Sequence, residues 1–141
     1  VVIQTYNPND FTVNCAIQSN IRKFINNEYS ERNMAHYPPF SRIATVNFSG
    51  KTETKVREKS QQVAAFLHQH NQTKIDILGP VSNPIGKIKN RFRYFLLLKS
   101  RKESDPSGSN LRNLLKQLTF SENLKSSAVN VSIDIDPSGM I

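Results

Sequence analysis

With 141 residues the chain is one domain in length, long enough to bury about two-thirds of the surface its unfolded form exposes. A single cysteine, Cys15, excludes an internal disulfide or a cysteine-based zinc site within these residues and fits a reducing or undemanding compartment; no apolar run is long enough to cross a membrane. Nineteen Lys plus Arg against eleven Asp plus Glu give a net charge of +8, and seven of the bases (Lys87, Lys89, Arg91, Arg93, Lys99, Arg101, Lys102) fall in one window without an acid. Such local charge attracts polyanions, nucleic acid foremost, although it also fits a solvated face kept for solubility.

Val1 to Thr5 is a β-type run without a turn before it, which reads as the last strand of something upstream; the first ten residues lack the pattern of a signal peptide. Asn7-Pro8-Asn9-Asp10 breaks that run, and Asp10 is placed to cap a short helix from Phe11 to about Ser19. Asn20 can cap a second helix, in which Ile21, Phe24, Ile25 and Tyr29 recur at helical spacing before Pro38-Pro39 stops it. Ser41 to Ser49 alternates as a strand with Ala44, Val46 and Phe48 on one face, Gly50 ends it, and Thr52 can cap a helix to about His70 with Val56, Val63, Phe66 and Leu67 inward. Ile75 to Leu78 reads as a short strand.

Gly79 to Lys99 is the most informative stretch. Gly-Pro and Pro84 exclude helix, and the alternation that follows predicts a β-hairpin with its turn near Lys89, Asn90 and Arg91, Asn tolerating the left-handed conformation of a tight turn. A spacing of two puts Lys87, Lys89, Arg91 and Arg93 on one side and Ile88, Phe92, Tyr94, Leu96 and Leu98 on the other. Arg93 to Lys99 is too apolar for an edge strand and is expected at the centre of the sheet. Arg101 to Asn110 has the composition of an exposed loop, with Ser109 or Asn110 as cap for a helix holding Leu111, Leu114, Leu115 and Leu118. Val129, Val131, Ile133 and Ile135 alternate with Asn130, Ser132, Asp134 and Asp136 in a final half-buried strand that Pro137 stops.

From Ser41 the order is therefore β-α-β-β-α-β. It predicts an α+β fold, ferredoxin-like or a relative of it, with a mostly antiparallel four-stranded sheet, helices on one face, and two helices preceding it. The expected division is 1–6 as a strand of an upstream unit, 7–40 as a helical linker and 41–141 as the α+β domain.

The basic hairpin suits phosphate capture by Lys87, Lys89, Arg91 and Arg93, while the phase of Phe92 and Tyr94 with Leu96 and Leu98 places those aromatics in the core. Asp134 and Asp136 form a D-x-D that could hold metal if Asp76 joined it; as plain solvent-side residues of an alternating strand they need no metal. No Ser-His-Asp set, phosphate loop or histidine cluster is legible, so these residues carry no catalytic motif and no metal site is expected.

Four separated segments, VVIQTYNP, ERNMAHYPPFSR (Glu31 to Arg42), LGPVSNPIGKIKNRFRYFLLLK (Leu78 to Lys99) and VSIDIDP (Val131 to Pro137), together resemble the C-terminal part of the bacterial primosomal helicase family PriA, also called primosomal protein N-prime. The resemblance implies that residues 1–6 end the second helicase lobe and that the remainder has a ribosomal-protein-like α+β fold. It implies a bacterial, cytoplasmic and nucleoid-associated parent, an ATP-dependent replication-restart helicase using ATP, magnesium and structural zinc held upstream, with no cofactor in these residues. Implied partners are forked or single-stranded DNA, the acidic tail of single-stranded DNA-binding protein, other primosome proteins and the upstream helicase lobes. Lys87, Lys89, Arg91 and Arg93 match the family's basic run, and Arg101, Lys102 or Arg112 would serve the acidic-tail pocket. Asn90 stands where glycine is usual, Tyr94 where tryptophan is frequent, and the Arg101 to Ser109 loop is longer.

Overall fold

The computed structural model describes residues 2–88, 90–125 and 128–137, with the backbone alone for 84–88 and 123. Its elements are α1 (Phe11–Ile17), α2 (Ile21–Met34), β1 (Ser41–Gly50), α3 (Glu53–His70), β2 (Asp76–Ile88), β3 (Arg91–Arg101), α4 (Ser109–Phe120), a 3₁₀ turn (Glu122–Leu124) and β4 (Val129–Ile135). The strands form one sheet in the order β2-β3-β1-β4, every neighbouring pair antiparallel. Each helical connection skips over one intervening strand, so two split β-α-β units interleave, the ferredoxin-like arrangement expected from the element order. β3 lies inside the sheet, as its apolar run requires.

The core follows from the alternation. Ala44, Val46 and Phe48 of β1 lie in register with Leu98, Leu96 and Tyr94 of β3 and with Ile135, Ile133 and Val131 of β4. On this face Val56, Val63 and Leu67 of α3 and Leu111, Leu114, Leu115 and Leu118 of α4 close a core in which most side chains are fully buried. Phe92 and Tyr94 are partly buried against it, and the Tyr94 hydroxyl donates to Glu53 at 3.2 Å.

β2 is longer than expected. One thirteen-residue strand runs through Gly79, Pro80 and Pro84, with irregularities between Leu78 and Val81 and between Ser82 and Lys87. Proline, which lacks an N–H, is tolerated there because β2 is an edge strand and the ladder is already interrupted. Gly79 has φ +100°, and a Cβ on it would lie 2.9 Å from the Phe95 carbonyl oxygen, so only glycine fits.

Residues 2–5, read as the last strand of an upstream unit, pair with no strand among the described residues. The α2 stripe exists but is uncovered: Ile21, Ile25 and Tyr29 are 68%, 55% and 57% exposed. Periodicity fixes which residues share a helix face; it does not supply the surface that buries them. The caps of α1 and α2 match expectation, Asp10 Oδ1 accepting from the Val13 amide at 3.0 Å and Asn20 Oδ1 from the Lys23 amide at 3.1 Å, whereas Thr52 precedes α3 without a side-chain capping bond.

Two residues placed in solvent-exposed roles by composition are internal. Lys99, counted among the available cations, is 7% exposed; its Nζ donates to the Ala35 carbonyl at 3.0 Å and lies 3.8 Å from the Tyr37 ring centroid, fastening the α2–β1 linker over the sheet. Asp105, in the expected exposed loop, is 3% exposed and takes over the capping of α4 from Ser109 and Asn110. The residue before α4 is Gly108, left-handed at φ 71° and without a side chain to offer. Asp105 reaches forward instead, accepting from the Asn110 amide at 3.2 Å, the Leu111 amide at 3.1 Å and the Ser100 hydroxyl at 2.9 Å. Burial pushes its carboxyl up, but the hydrogen bonds from Leu111, Asn110, Ser100 and Ser109 outweigh that and hold it below the usual carboxylate range.

Asp105→Asn removes one acceptor oxygen from this array and is expected to cost about 1–3 kcal/mol at neutral pH. Because the folded pKa is depressed, wild-type Asp105 contributes in full above the unfolded value of about 3.9, and the contribution fades as pH falls through the folded value. Urea unfolding of both proteins from about pH 2 to 7 should therefore show a constant gap that narrows only at the acid end. Lys99→Met should release the linker, with proteolytic cleavage within 35–40 roughly ten-fold faster in a limited-digestion time course.

Candidate nucleic-acid interface

Antiparallel pairing decides what meets at each end of the sheet. Gly50, the last residue of β1, is in register with Phe92 near the start of β3 and with Val129 at the start of β4. The β2–β3 turn, the β1–α3 junction and the start of β4 therefore gather at one end. Asn90 forms part of that turn with φ +60°, the left-handed conformation its side chain tolerates.

At this end Lys51, Thr52, Lys55, Arg91, Ala128, Val129 and Asn130 line a cleft of about 480 Å³. Arg91 Nη2 donates to the Ser49 carbonyl at 3.1 Å, which anchors one edge of its guanidinium against the sheet. Arg93, one alternation further along the same face, lines an adjoining depression with Asn47, Ser49, Asn83 and Ser132, and Asn130 borders both hollows. Among the described residues the ion pairs are Arg32–Glu28, Arg101–Asp76 and Lys125–Glu122, so none neutralises Lys51, Lys55, Arg91 or Arg93. Three cations lining one cleft, with Arg93 in the adjoining depression, produce a positive field that single exposed lysines do not.

The four cations read from the hairpin fare differently. Arg91 and Arg93 come together on the face of the sheet that carries no helix. Lys89 lies outside the described residues. For Lys87 the backbone is described, and it pairs with Phe92, not with either arginine. The expected single row required one alternation to run on through the turn, but pairing Ile88 with Arg91 and Lys87 with Phe92 sets odd-numbered residues of one arm opposite even-numbered residues of the other, so the Lys87 position does not share the face of Arg91 and Arg93. Nothing local in the sequence points to Lys51 and Lys55, which lie far from the hairpin along the chain. Their signal was positional: in a β-α-β-β-α-β sheet the end of the first strand adjoins the start of the third.

Arg101, Lys102 and Arg112 are at the other end. β3 is eleven residues long, which at about 3.3 Å per residue separates Arg91 from Arg101 by roughly 33 Å. Arg101 is exposed and 3.5 Å from Asp76; exposed Lys102 donates its backbone N–H to the Phe40 carbonyl. Arg112, exposed on the first turn of α4, flanks Gly108 together with Arg42. The two sets of basic residues thus lie on separate surfaces.

The carboxylates do not assemble. Asp134 is exposed on β4, whereas Asp136 lies beyond the strand with φ 51° and its N–H bound to the Ile43 carbonyl, so the D-x-D does not share one strand face. Asp76 is on β2 at the opposite edge, three strand spacings or about 14 Å away. No group of three His, Cys, Asp or Glu side chains among the described residues could hold a metal ion, and no described helix is long and apolar enough to cross a membrane.

The domain is thus an interleaved α+β sandwich with one sheet face free of α3 and α4 and, among the described residues, a cationic end that no acid neutralises. Residues 33–138 match the family described as Primosomal protein N C-terminal domain, and the chain belongs to that family. It is 29% identical to Replication restart protein PriA of Bacillus subtilis over 137 residues, which cover 97% of the chain and 17% of that protein. The Synechocystis protein of the same name is 31% identical over 97% of the chain and 16% of its own length. That of Borreliella burgdorferi is 28% identical over 100% of the chain and 20% of its own length. The chain thus spans about a fifth or less of these relatives.

Proposed function

We propose that the chain is the C-terminal DNA- and partner-binding domain of an ATP-dependent replication-restart helicase and that it grips the phosphates of single-stranded or forked DNA through the hairpin end of its sheet. The observation that carries this reading is the cleft lined by Lys51, Lys55 and Arg91, with Arg93 beside it and no described acid paired to any of them. Arginine forks hold phosphate bidentately and lysines act as point charges, so the set favours affinity and alignment over base reading. ATP, magnesium and structural zinc belong, on this reading, to other parts of the helicase; Cys15, alone and buried, makes no zinc site.

Binding to single-stranded DNA should weaken steeply with salt. The double variant Lys51→Ala plus Arg91→Ala should flatten the plot of log affinity against log salt by about 0.7 for each phosphate that the protein no longer neutralises, alike for all sequences. An unchanged slope, measured by fluorescence anisotropy, removes the cleft from the mechanism.

A second reading, protein docking, is favoured by the uncovered α2 stripe and by the separate basic group at the far end of β3. In it the N-terminal helices buttress the helicase lobes, and Arg101, Lys102 and Arg112 receive the acidic tail of single-stranded DNA-binding protein. An acidic, Phe-terminated peptide should then bind with an affinity that Arg112→Ala lowers by about ten-fold and the Lys51/Arg91 double variant leaves alone, as read by titration calorimetry. Absence of peptide binding sinks this reading.

A further inference from the structure

We propose that the helix-free face of the sheet is a base-stacking platform, on which the Phe95 ring receives a base of the strand whose phosphates the adjoining cationic cleft holds. The proposal rests on the DNA-binding reading above and adds to it a residue, a face and a mode of contact.

Register fixes the position of Phe95. It pairs with Asn47 of β1 and Val81 of β2, so it points away from Leu96 and Leu98 and from α3 and α4. It is only partly buried and takes no part in the core that holds Phe92 and Tyr94. The core therefore does not explain an aromatic at this site. On the edge strand beside it Val81 is 47% exposed, extending the apolar floor to one side. On the other side the floor gives way to the amides and hydroxyl of Asn47, Asn130 and Ser132, groups that offer both donors and acceptors to base edges. Arg93 is two residues from Phe95 on the same face, and Asn130 borders both the Arg93 hollow and the Lys51–Lys55–Arg91 cleft. An aromatic in a polar surround, beside clustered cations, is what single-stranded nucleic acid needs: a π-face for a base and charge for the backbone. An apolar protein segment would instead have to desolvate Arg93 and the amides, which disfavours it.

The chain contains no tryptophan, so Phe95→Trp places a single reporter on the platform. Its emission should be quenched on adding oligo-dT and unchanged on adding an abasic oligomer of equal length, which offers the same phosphates without bases. Phe95→Ala and the better space-filling Phe95→Leu should each weaken oligo-dT binding by roughly five- to a hundred-fold and leave abasic binding within about two-fold. If the wild type binds both oligomers equally, or the tryptophan stays unquenched while DNA binds, the platform is overturned and the phosphate grip stands. If neither oligomer binds at low salt, the DNA-binding reading fails, and the platform with it.

Discussion

The structure depends on the pairing of β3 with β1 on one side and β2 on the other. Pairing with β1 is unbroken from Ser41↔Arg101 to Gly50↔Phe92, and this ladder locks the two-residue period of β3 into the sheet. Once locked, a shift of one residue would carry Leu96 and Leu98 out of the core and Arg93 and Phe95 into it, so register and core composition enforce each other. The α3–α4 layer can cover only the face where the apolar set lies. The other face is left to Arg91, Arg93, Phe95 and their polar neighbours, and the candidate interface is thus a by-product of the packing that builds the core.

The same ladder gives the domain two chemically distinct ends. Where β1 finishes and β3 begins, the chain contributes Lys51, Lys55, Arg91 and Arg93 without a described acid to pair with them. Where β3 finishes, Arg101 meets Asp76, Lys99 is buried under the linker, and Asp105 is occupied with the amides of α4. Net charge is a property of the composition, but field is a property of placement, and here placement divides it between the hairpin end and the separate group of Arg101, Lys102 and Arg112.

Much of this was legible in the residues. Strict alternation in β1 and β4, the leucine spacing of α4, and Asp10 and Asn20 as caps each rest on short-range rules that tertiary context did not override. The position of β3 inside the sheet followed from its unbroken apolar run. What was not legible depended on contacts distant in sequence. Lys99 and Asp105 read as polar surface because nothing local announces the Ala35 carbonyl or the Leu111 amide as partners. The row of hairpin cations is broken by the register across the β2–β3 turn, and the β2 irregularities reflect how an edge strand accommodates Gly79-Pro80 and Pro84 against a continuous neighbour. The Lys51–Arg91 cleft needed the strand order, and one sequence does not fix that order.

With helices on a single face of the sheet, neighbouring positions in the hairpin half of β3 answer to different demands: Phe92, Tyr94 and Leu96 to the interior, and Arg91, Arg93 and Phe95 to whatever approaches from solvent. Substitution at the outward set leaves the packed interior and its register untouched, so that surface is free to diverge while the scaffold persists.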